Sequence, residues 1–205
     1  MELHNVGVLF HTNVTFPDTF AYYDCENAPP HLHFSEEETQ KIIETYDEAQ
    51  SVRAITYNGL DLNYRRANKL NMEVISVEYA WVINKIAHIV SHANANFFKA
   101  NLNGMLEDFE IIKYDSNEKS FYDKHVDYHG NQTLPRKLSV VIQLSDENDY
   151  EGGDTLVYTD REAQKLKKKR GTTNIFRSTT LHEVTPVTKG TRYALVGWIS
   201  GPHWV

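Results

Sequence analysis

The chain of 205 residues has the length of one ordinary domain, and its 40% of hydrophobic residues excludes a disordered tail. Acidic residues outnumber basic ones by 28 to 21, and the resulting charge of −7 argues against nucleic acid as a partner. The single cysteine, Cys25, excludes an internal disulfide framework and is typical of a reducing compartment, so we expect a cytoplasmic location. No apolar run approaches the roughly 18 residues of a membrane helix, and the N-terminus does not have the pattern of a signal peptide, so no membrane partner is expected.

Two helices are predicted in the first half of the chain. Ser35-Glu36-Glu37-Glu38 has the pattern of a capping box, and apolar residues at helical spacing after it predict a helix over 36–51. Residues 53–57 predict a short strand that ends at an Asn-Gly turn. A longer helix is predicted over 73–97, where apolar residues recur every three or four positions without Pro or Gly.

After about residue 104 the sequence changes to short segments rich in β-branched and aromatic residues, separated by turn residues. This pattern predicts an α+β, mainly β, fold with an antiparallel sandwich or jelly-roll core behind N-terminal supporting helices. We expect a single domain over 1–205, with 1–104 as extension and supporting helices and 105–205 as the β core. The predicted strands are 108–114, 121–127, 138–144, 154–158, 173–176, 181–187 and 191–199.

The triplet His125-Val126-Asp127 places an imidazole and a carboxylate two residues apart on a β-prone segment. Side chains two apart on an extended backbone point to the same face, so these two groups converge. Alone, the triplet is a weak signal, and a structural hydrogen-bonded pair is its default interpretation. His182 lies in a second β-prone segment, and two histidines with one carboxylate form the ligand set of non-haem Fe(II) oxygenases.

Arg192 follows ten residues after His182 and shares one strand face with Ala194, Val196 and Trp198 by alternation. If that face points into the core, the guanidinium needs an anionic partner, and the strand itself supplies none. Arginine suits a carboxylate ligand because it can bind both oxygens at once. The alternatives are an outward-facing Arg192 or a pair with a distant acidic residue.

With these residues in place, the sequence resembles the Fe(II)/2-oxoglutarate-dependent dioxygenases, and within them the prolyl 4-hydroxylase-like group that includes the PKHD-type hydroxylases. The resembling run covers about residues 110–201. Its motifs are Lys113-Tyr114, the run from Phe121 to Asp127, Arg136-Lys137-Leu138-Ser139, Tyr150-Glu151-Gly152-Gly153-Asp154, Leu181-His182-Glu183-Val184, Pro186-Val187, Gly190-Thr191-Arg192 and Trp198.

The resemblance implies a double-stranded β-helix, which is a form of jelly roll, and Fe(II) bound by His125, Asp127 and His182. It implies that Arg192 pairs with the distal carboxylate of 2-oxoglutarate and that Tyr114 hydrogen-bonds this co-substrate.

Three further residues are expected near the co-substrate. Trp198 matches an aromatic residue expected to form a wall near His182. Gln143 stands where prolyl hydroxylases often carry a tyrosine that assists the arginine, so a more polar pocket is expected. Leu156, two residues after Asp154, is a candidate to face the co-substrate.

The activity implied is hydroxylation with O₂ while 2-oxoglutarate is decarboxylated to succinate, with ascorbate as a candidate reductant. Asp127 favours hydroxylation, because related halogenases lack the carboxylate ligand. The first hypothesis for the substrate is a prolyl residue in a protein or peptide. The alternatives are a free amino acid, a small metabolite or a nucleobase, or a non-catalytic jelly-roll module. The sequence does not indicate the oligomeric state.

Other polar features are assigned ordinary roles. The histidine pairs 31/33 and 88/92 have spacings that can bind metal, but surface or packing roles are favoured. His129 is expected to reach solvent or substrate rather than to be a ligand. The basic run 167–170 is interpreted as a solvated loop, with a contact for an acidic peptide or a nucleic acid as the alternative.

Overall fold

In a computed structural model, which describes residues 19–56, 58–128, 134–159 and 162–203, the chain forms two facing antiparallel sheets with helices behind one of them. The predicted mainly-β jelly roll with supporting helices is confirmed. The helices are α1 (Glu36–Glu44) and α2 (Ala80–Ala93). The strands are β1 (Phe20–Tyr23), β2 (Val52–Arg53), β3 (Arg65–Arg66), β4 (Asn68–Met72), β5 (Phe109–Asp115), β6 (Phe121–His125), β7 (Arg136–Gln143), β8 (Tyr150–Gly152), β9 (Thr155–Tyr158), β10 (Ala163–Lys165), β11 (Thr173–Arg177), β12 (His182–Val184) and β13 (Val187–Ser200).

The large sheet has the strand order β1-β11-β7-β13-β5-β4-β2, with β8 paired to the start of β13. The small sheet has the order β10-β9-β12-β6-β3. A cavity of about 260 Å³ lies between the two sheets, lined by side chains from both.

Strand alternation gives the large sheet two different faces. Ile111 and Leu195 point to the face that packs against α2, where Ile86 and Ile89 complete the main hydrophobic core. Residues one position away on the same strands, such as Ile112, point into the cavity. One face of the large sheet therefore supports the fold and the other lines the site.

The first helix confirms the predicted capping box. Ser35 Oγ accepts a hydrogen bond from the Glu38 amide at 3.1 Å, and the Glu38 carboxylate accepts one from the Ser35 amide at 2.8 Å. The helix ends at Glu44 rather than at 51, because Asp47 accepts the Ala49 amide in a turn that replaces the helical pattern.

The second helix begins at Ala80, seven residues later than predicted. Ile75 and Val77 precede it in turns and are each 91% exposed, so their apolar spacing does not reflect packing. A turn of π-helix over Asn94–Phe98 extends the C-terminal end. No helix in the described part of the chain is both long enough and apolar enough to cross a membrane.

Strands from the N-terminal section also belong to the sheets. Strand β1 pairs with β11, β4 pairs with β5, and β3 pairs with β6. The sequence predicted no strands at β1, β3 or β4. Of the strand predicted over 53–57, the structure shows only Arg53 in a strand, the two-residue β2. The single-domain organisation stays a prediction.

Candidate active site

Strands β6 and β12 bring the three predicted iron ligands together at the small sheet. His125 and His182 are cross-strand partners, and Asp127 follows β6. Nε2 of His125 lies 3.7 Å from Asp127 Oδ1, and Nε2 of His182 lies 3.5 Å from Asp127 Oδ2. These atoms lie within 4.8 Å of one another, and no other such group of three occurs among the residues that the structure describes. One ion could therefore contact all three residues at about 2 Å.

Backbone carbonyls orient both imidazole rings. Nδ1 of His125 lies 2.7 Å from the Asp123 carbonyl oxygen, and Nδ1 of His182 lies 2.9 Å from the Thr180 carbonyl oxygen. A carbonyl can only accept, so Nδ1 carries the proton in each ring and the Nε2 lone pair is directed at the cluster. This donor set of two neutral imidazoles and one carboxylate fits Fe(II).

The Asp127 carboxylate is buried and held by a serine. Ser139 Oγ donates to Asp127 Oδ2 at 2.7 Å, and Ser178 Oγ lies 3.0 Å from Ser139 Oγ. The Asp127 amide donates to the Ser178 carbonyl at 2.9 Å. Burial opposes ionisation, but the two histidines and Ser139 outweigh it and lower the pKa of Asp127 to about 2. The carboxylate is therefore ionised at neutral pH and fixed in direction.

Burial keeps His125 neutral. Desolvation and the neighbouring His182 lower the pKa of His125 to about 3, despite the opposing effect of Asp127. Its ring stacks on Tyr122, with centroids 3.5 Å apart. Since a ligand histidine must be neutral, His125 needs no deprotonation step at physiological pH.

Arg192 is 1% exposed and lines the same cavity. Its Nε donates to Gln143 Oε1 and its Nη2 to Thr155 Oγ1, both at 3.2 Å, while Nη1 is buried without an acceptor. None of the ion pairs among the described residues includes Arg192. Of the two orientations that alternation left open, the structure shows the inward one, and the guanidinium lacks the anion that burial of its charge demands.

The other residues predicted near the co-substrate have different positions. Tyr114 lines the cavity with its ring centroid 5.3 Å from the Arg192 guanidinium carbon, and burial raises the pKa of its hydroxyl. Trp198 also lines the cavity, with its buried indole N–H close to Asp127 but without normal hydrogen-bond geometry. Gln143 contacts Arg192 by accepting its Nε–H.

The prediction for Leu156 is wrong. The strand places Thr155, not Leu156, on the cavity side, and Thr155 binds Arg192. Side chains alternate along β9, so the neighbouring Leu156 points to the other face of the small sheet.

The basic run is neither a free patch nor part of the cavity. Lys168 pairs with Asp154 at 3.0 Å, and Lys169 pairs with Glu26 at 2.6 Å. Arg170 donates to Thr39 Oγ1 at 2.8 Å. These contacts attach residues 168–170 to the rest of the fold.

The histidine pairs make packing contacts. His31 and His88 meet with ring centroids 5.3 Å apart, and His92 Nδ1 lies 2.9 Å from the Tyr23 hydroxyl. Buried His33 has its Nδ1 3.3 Å from the Phe34 carbonyl oxygen. His129 lies outside the described residues.

Two groups of cavity residues were not found from the sequence. Ser139 was noticed only as part of a motif, and its contact with Asp127 spans twelve positions and two strands. Arg65, Lys69 and Glu110 form a charged cluster on the cavity wall. In the sequence, Arg65 and Lys69 are two basic residues in a β-prone segment. Nothing in that segment indicates that Glu110, more than forty residues further along the chain, is their partner.

The fold and the site define a jelly-roll protein with two histidines and one aspartate clustered in a cavity that also holds a buried arginine. The family model described as the 2OG-Fe(II) oxygenase superfamily matches residues 109–200. The match supports the predicted resemblance to the 2OG-Fe(II) oxygenases over these residues, and the curated relatives below are PKHD-type hydroxylases. This family implies Fe(II), 2-oxoglutarate and O₂ as cofactors and co-substrates.

Two curated relatives illustrate the similarity. The chain is 42% identical over 84 residues to a PKHD-type hydroxylase of Prochlorococcus marinus, covering 41% of this chain and 38% of the relative. It is 33% identical over 137 residues to the PKHD-type hydroxylase YbiX of Escherichia coli, covering 64% of this chain and 60% of the relative. The matches therefore span less than two thirds of the length of these relatives.

Solved structures share the fold over most of the chain. A prolyl hydroxylase from Trichoplax adhaerens, in complex with a hypoxia inducible factor oxygen degradation domain peptide fragment, has a TM-score of 0.71 at 15% identity and covers 90% of this chain and 84% of its own. A Pseudomonas putida prolyl-4-hydroxylase has a TM-score of 0.68 at 16% identity and covers 90% of this chain and 94% of its own. At these identities the likeness establishes the fold alone.

Proposed function

We propose that the protein is an Fe(II)- and 2-oxoglutarate-dependent dioxygenase that hydroxylates a prolyl residue of a protein or peptide. The observation that carries this proposal is the unbalanced guanidinium of Arg192 in the cavity that also holds His125, Asp127 and His182. A buried cation next to a cluster of metal-ligating side chains calls for an anion that reaches both. A dicarboxylic keto acid has that shape.

In this proposal His125, Asp127 and His182 hold Fe(II). The bound iron supplies the oxidising chemistry that consumes O₂ and converts 2-oxoglutarate to succinate and CO₂. Three protein ligands leave positions open for the co-substrate and O₂.

The protein's own residues position the reactants. Arg192 binds the distal carboxylate through two N–H donors, and Gln143 and Thr155 hold the guanidinium in place. Tyr114, buried beside Arg192, offers a hydroxyl that stays protonated because burial raises its pKa. It can therefore donate a hydrogen bond to the co-substrate.

The choice of a peptidyl proline is supported by the relatives and by the cavity wall. Similar proteins of known structure include prolyl hydroxylases, one of them in complex with a peptide. Near the ligand cluster, the Trp198 ring provides a flat apolar surface suited to a pyrrolidine ring. The Trp198 ring is fixed by the Arg136 guanidinium, 3.5 Å away, which Glu107 holds in turn.

The test compares Arg192→Met with Arg177→Met, a matched change of an exposed arginine outside the cavity. Calorimetric titration of Mn(II)-loaded protein with 2-oxoglutarate should show about 100-fold weaker binding for Arg192→Met, since a desolvated charge-assisted contact contributes about 3 kcal/mol. Arg177→Met should bind like the wild type. Equal affinity in both variants would contradict the assignment of Arg192.

The substrate class is tested separately. Incubating the iron-loaded protein with a panel of proline-containing peptides should yield a product heavier by one oxygen, located on proline by mass spectrometry. Turnover of free amino acids, small metabolites or nucleobases instead of any peptide would contradict the prolyl assignment.

A further inference from the structure

Three charged residues form a cluster on the cavity wall away from Arg192. Arg65 lies on β3, Lys69 on β4 and Glu110 on β5, and all three line the cavity. Lys69 Nζ forms a short ion pair with Glu110 Oε1. Arg65 Nη2 lies 3.5 Å from Glu110 Oε2, too far for a good hydrogen bond. We call these residues the wall cluster.

The wall cluster carries a surplus positive charge. Glu110 is the single acidic partner that the described residues provide for both Lys69 and Arg65. Arg65 Nη1 donates to the Ile55 carbonyl at 2.8 Å, while its Nε and Glu110 Oε2 are buried without hydrogen-bond partners. The side chains of Arg65 and Glu110 are each only 11% exposed, so water screens this imbalance poorly.

The surplus charge lies close to the proposed metal site. The Arg65 guanidinium carbon is 4.4 Å from the centroid of the Tyr122 ring, and that ring stacks on His125. Lys69 is paired with Ile112, which is paired with Ala194, so two strand spacings, about 10 Å, separate Lys69 from the strand of Arg192. The wall cluster is therefore a separate charged position within one cavity.

The proposed cofactors do not neutralise this charge. Under the proposed function, Fe(II), the Asp127 carboxylate, Arg192 and the two carboxylates of 2-oxoglutarate sum to zero charge. Arg136 is balanced by Glu107. One positive charge on the wall cluster is then left for the substrate.

We propose that the wall cluster binds a carboxylate of the substrate, which makes the enzyme selective for an acidic group near the hydroxylated carbon. The inference rests on the proposed function. Arginine and lysine together suit a carboxylate, which the guanidinium can bind through two donors. The chain as a whole carries −7 and repels acidic molecules at long range, so this selection acts inside the cavity. The carboxylate is expected to belong to a Glu or Asp beside the target proline.

The experiment measures binding to protein loaded with Mn(II) and 2-oxoglutarate under anaerobic conditions. The probes are capped hexapeptides with one proline and a Glu before or after it, matched peptides with Gln, and free proline beside its carboxamide. We expect about tenfold tighter binding of the Glu peptide than of the Gln peptide if the carboxylate belongs to a side chain. A preference for free proline over its carboxamide without any preference among the peptides would contradict a peptidyl substrate and overturn both proposals.

Three variants locate the effect. Lys69→Met should remove most of the preference for the carboxylate, and Glu110→Gln should increase it, because the competing carboxylate is lost. Lys113→Met is the matched control. Lys113 has the same 18% side-chain exposure as Lys69 and also pairs with a glutamate, Glu48, but lies on the opposite face of the large sheet.

The outcomes separate the two proposals. Wild-type protein that binds 2-oxoglutarate but distinguishes neither the peptides nor the proline pair would overturn the wall-cluster proposal and leave the proposed function standing. A preference that survives Lys69→Met, or that Lys113→Met removes equally, would also overturn it. Failure of the Mn(II)-loaded protein to bind 2-oxoglutarate would overturn the proposed function and the charge balance built on it.

Discussion

Replacing Ser139 by alanine should weaken metal binding although this side chain is not itself a predicted ligand. Ser139 is fully buried, and its hydroxyl donates to Asp127 Oδ2 at 2.7 Å. A hydrogen bond to a buried charged group contributes about 1.5–3 kcal/mol, and loss of such a partner typically lowers metal affinity by about 10- to 100-fold. We therefore expect a loss of that size for Mn(II), used as a redox-stable substitute for Fe(II).

Calorimetric titration of metal-free protein with Mn(II) measures this affinity directly. Ser178→Ala is the control, because it removes the 3.0 Å contact with Ser139 Oγ but no side-chain contact with Asp127. The free energy of unfolding of Ser139→Ala should fall by about 2 kcal/mol, since the buried carboxylate loses a donor. Unchanged Mn(II) affinity in Ser139→Ala, or an equal loss in Ser178→Ala, would refute the reasoning.

Two further predictions concern stability. The pKa of His125 is lowered to about 3 in the folded protein, so below pH 6.5 the unfolded chain takes up a proton that the folded protein does not. Between pH 7.5 and pH 5, the free energy of unfolding measured with urea should therefore fall by about 2 kcal/mol more for the metal-free wild type than for His125→Gln. Parallel pH profiles of the two proteins would contradict the burial of a neutral imidazole. Gly197→Ala should lower the free energy of unfolding by about 1–3 kcal/mol, because the added Cβ would overlap the Phe109 ring. Denaturation of Gly197→Ala at the wild-type urea midpoint would show that this packing is loose.

Local sequence rules predicted the features that depend on neighbours in the chain. The capping box at Ser35 needs only a hydroxyl and a Glu three residues later, and it forms as predicted. Alternation placed Arg192 on one face of its strand with Val196 and Trp198, and all three line the cavity. His125 and Asp127 converge as predicted, although β6 ends at His125 and Asp127 lies just beyond it.

Features that depend on tertiary context were missed or misplaced. Leu156 was placed by counting from Asp154, but Asp154 does not line the cavity and instead pairs with Lys165 and Lys168. Thr155, the residue between Asp154 and Leu156, is therefore the one that faces the cavity. Arg65 lies on a strand of two residues, too short for a period-two pattern to be read. Its partner Glu110 is forty-five positions away, and only the folded sheet brings the two together.

Strand β13 runs without interruption for fourteen residues and is held along both edges, by β5 on one side and by β7 on the other. Arg192 and Trp198 project from it into the cavity six residues apart, a separation of about 20 Å along the backbone. The distance between the Arg192 and Trp198 backbone positions is thus fixed by main-chain hydrogen bonds rather than by side-chain choice. Adaptation to a substrate of another size has to occur in the small sheet and the connecting loops, which form the opposite wall of the cavity.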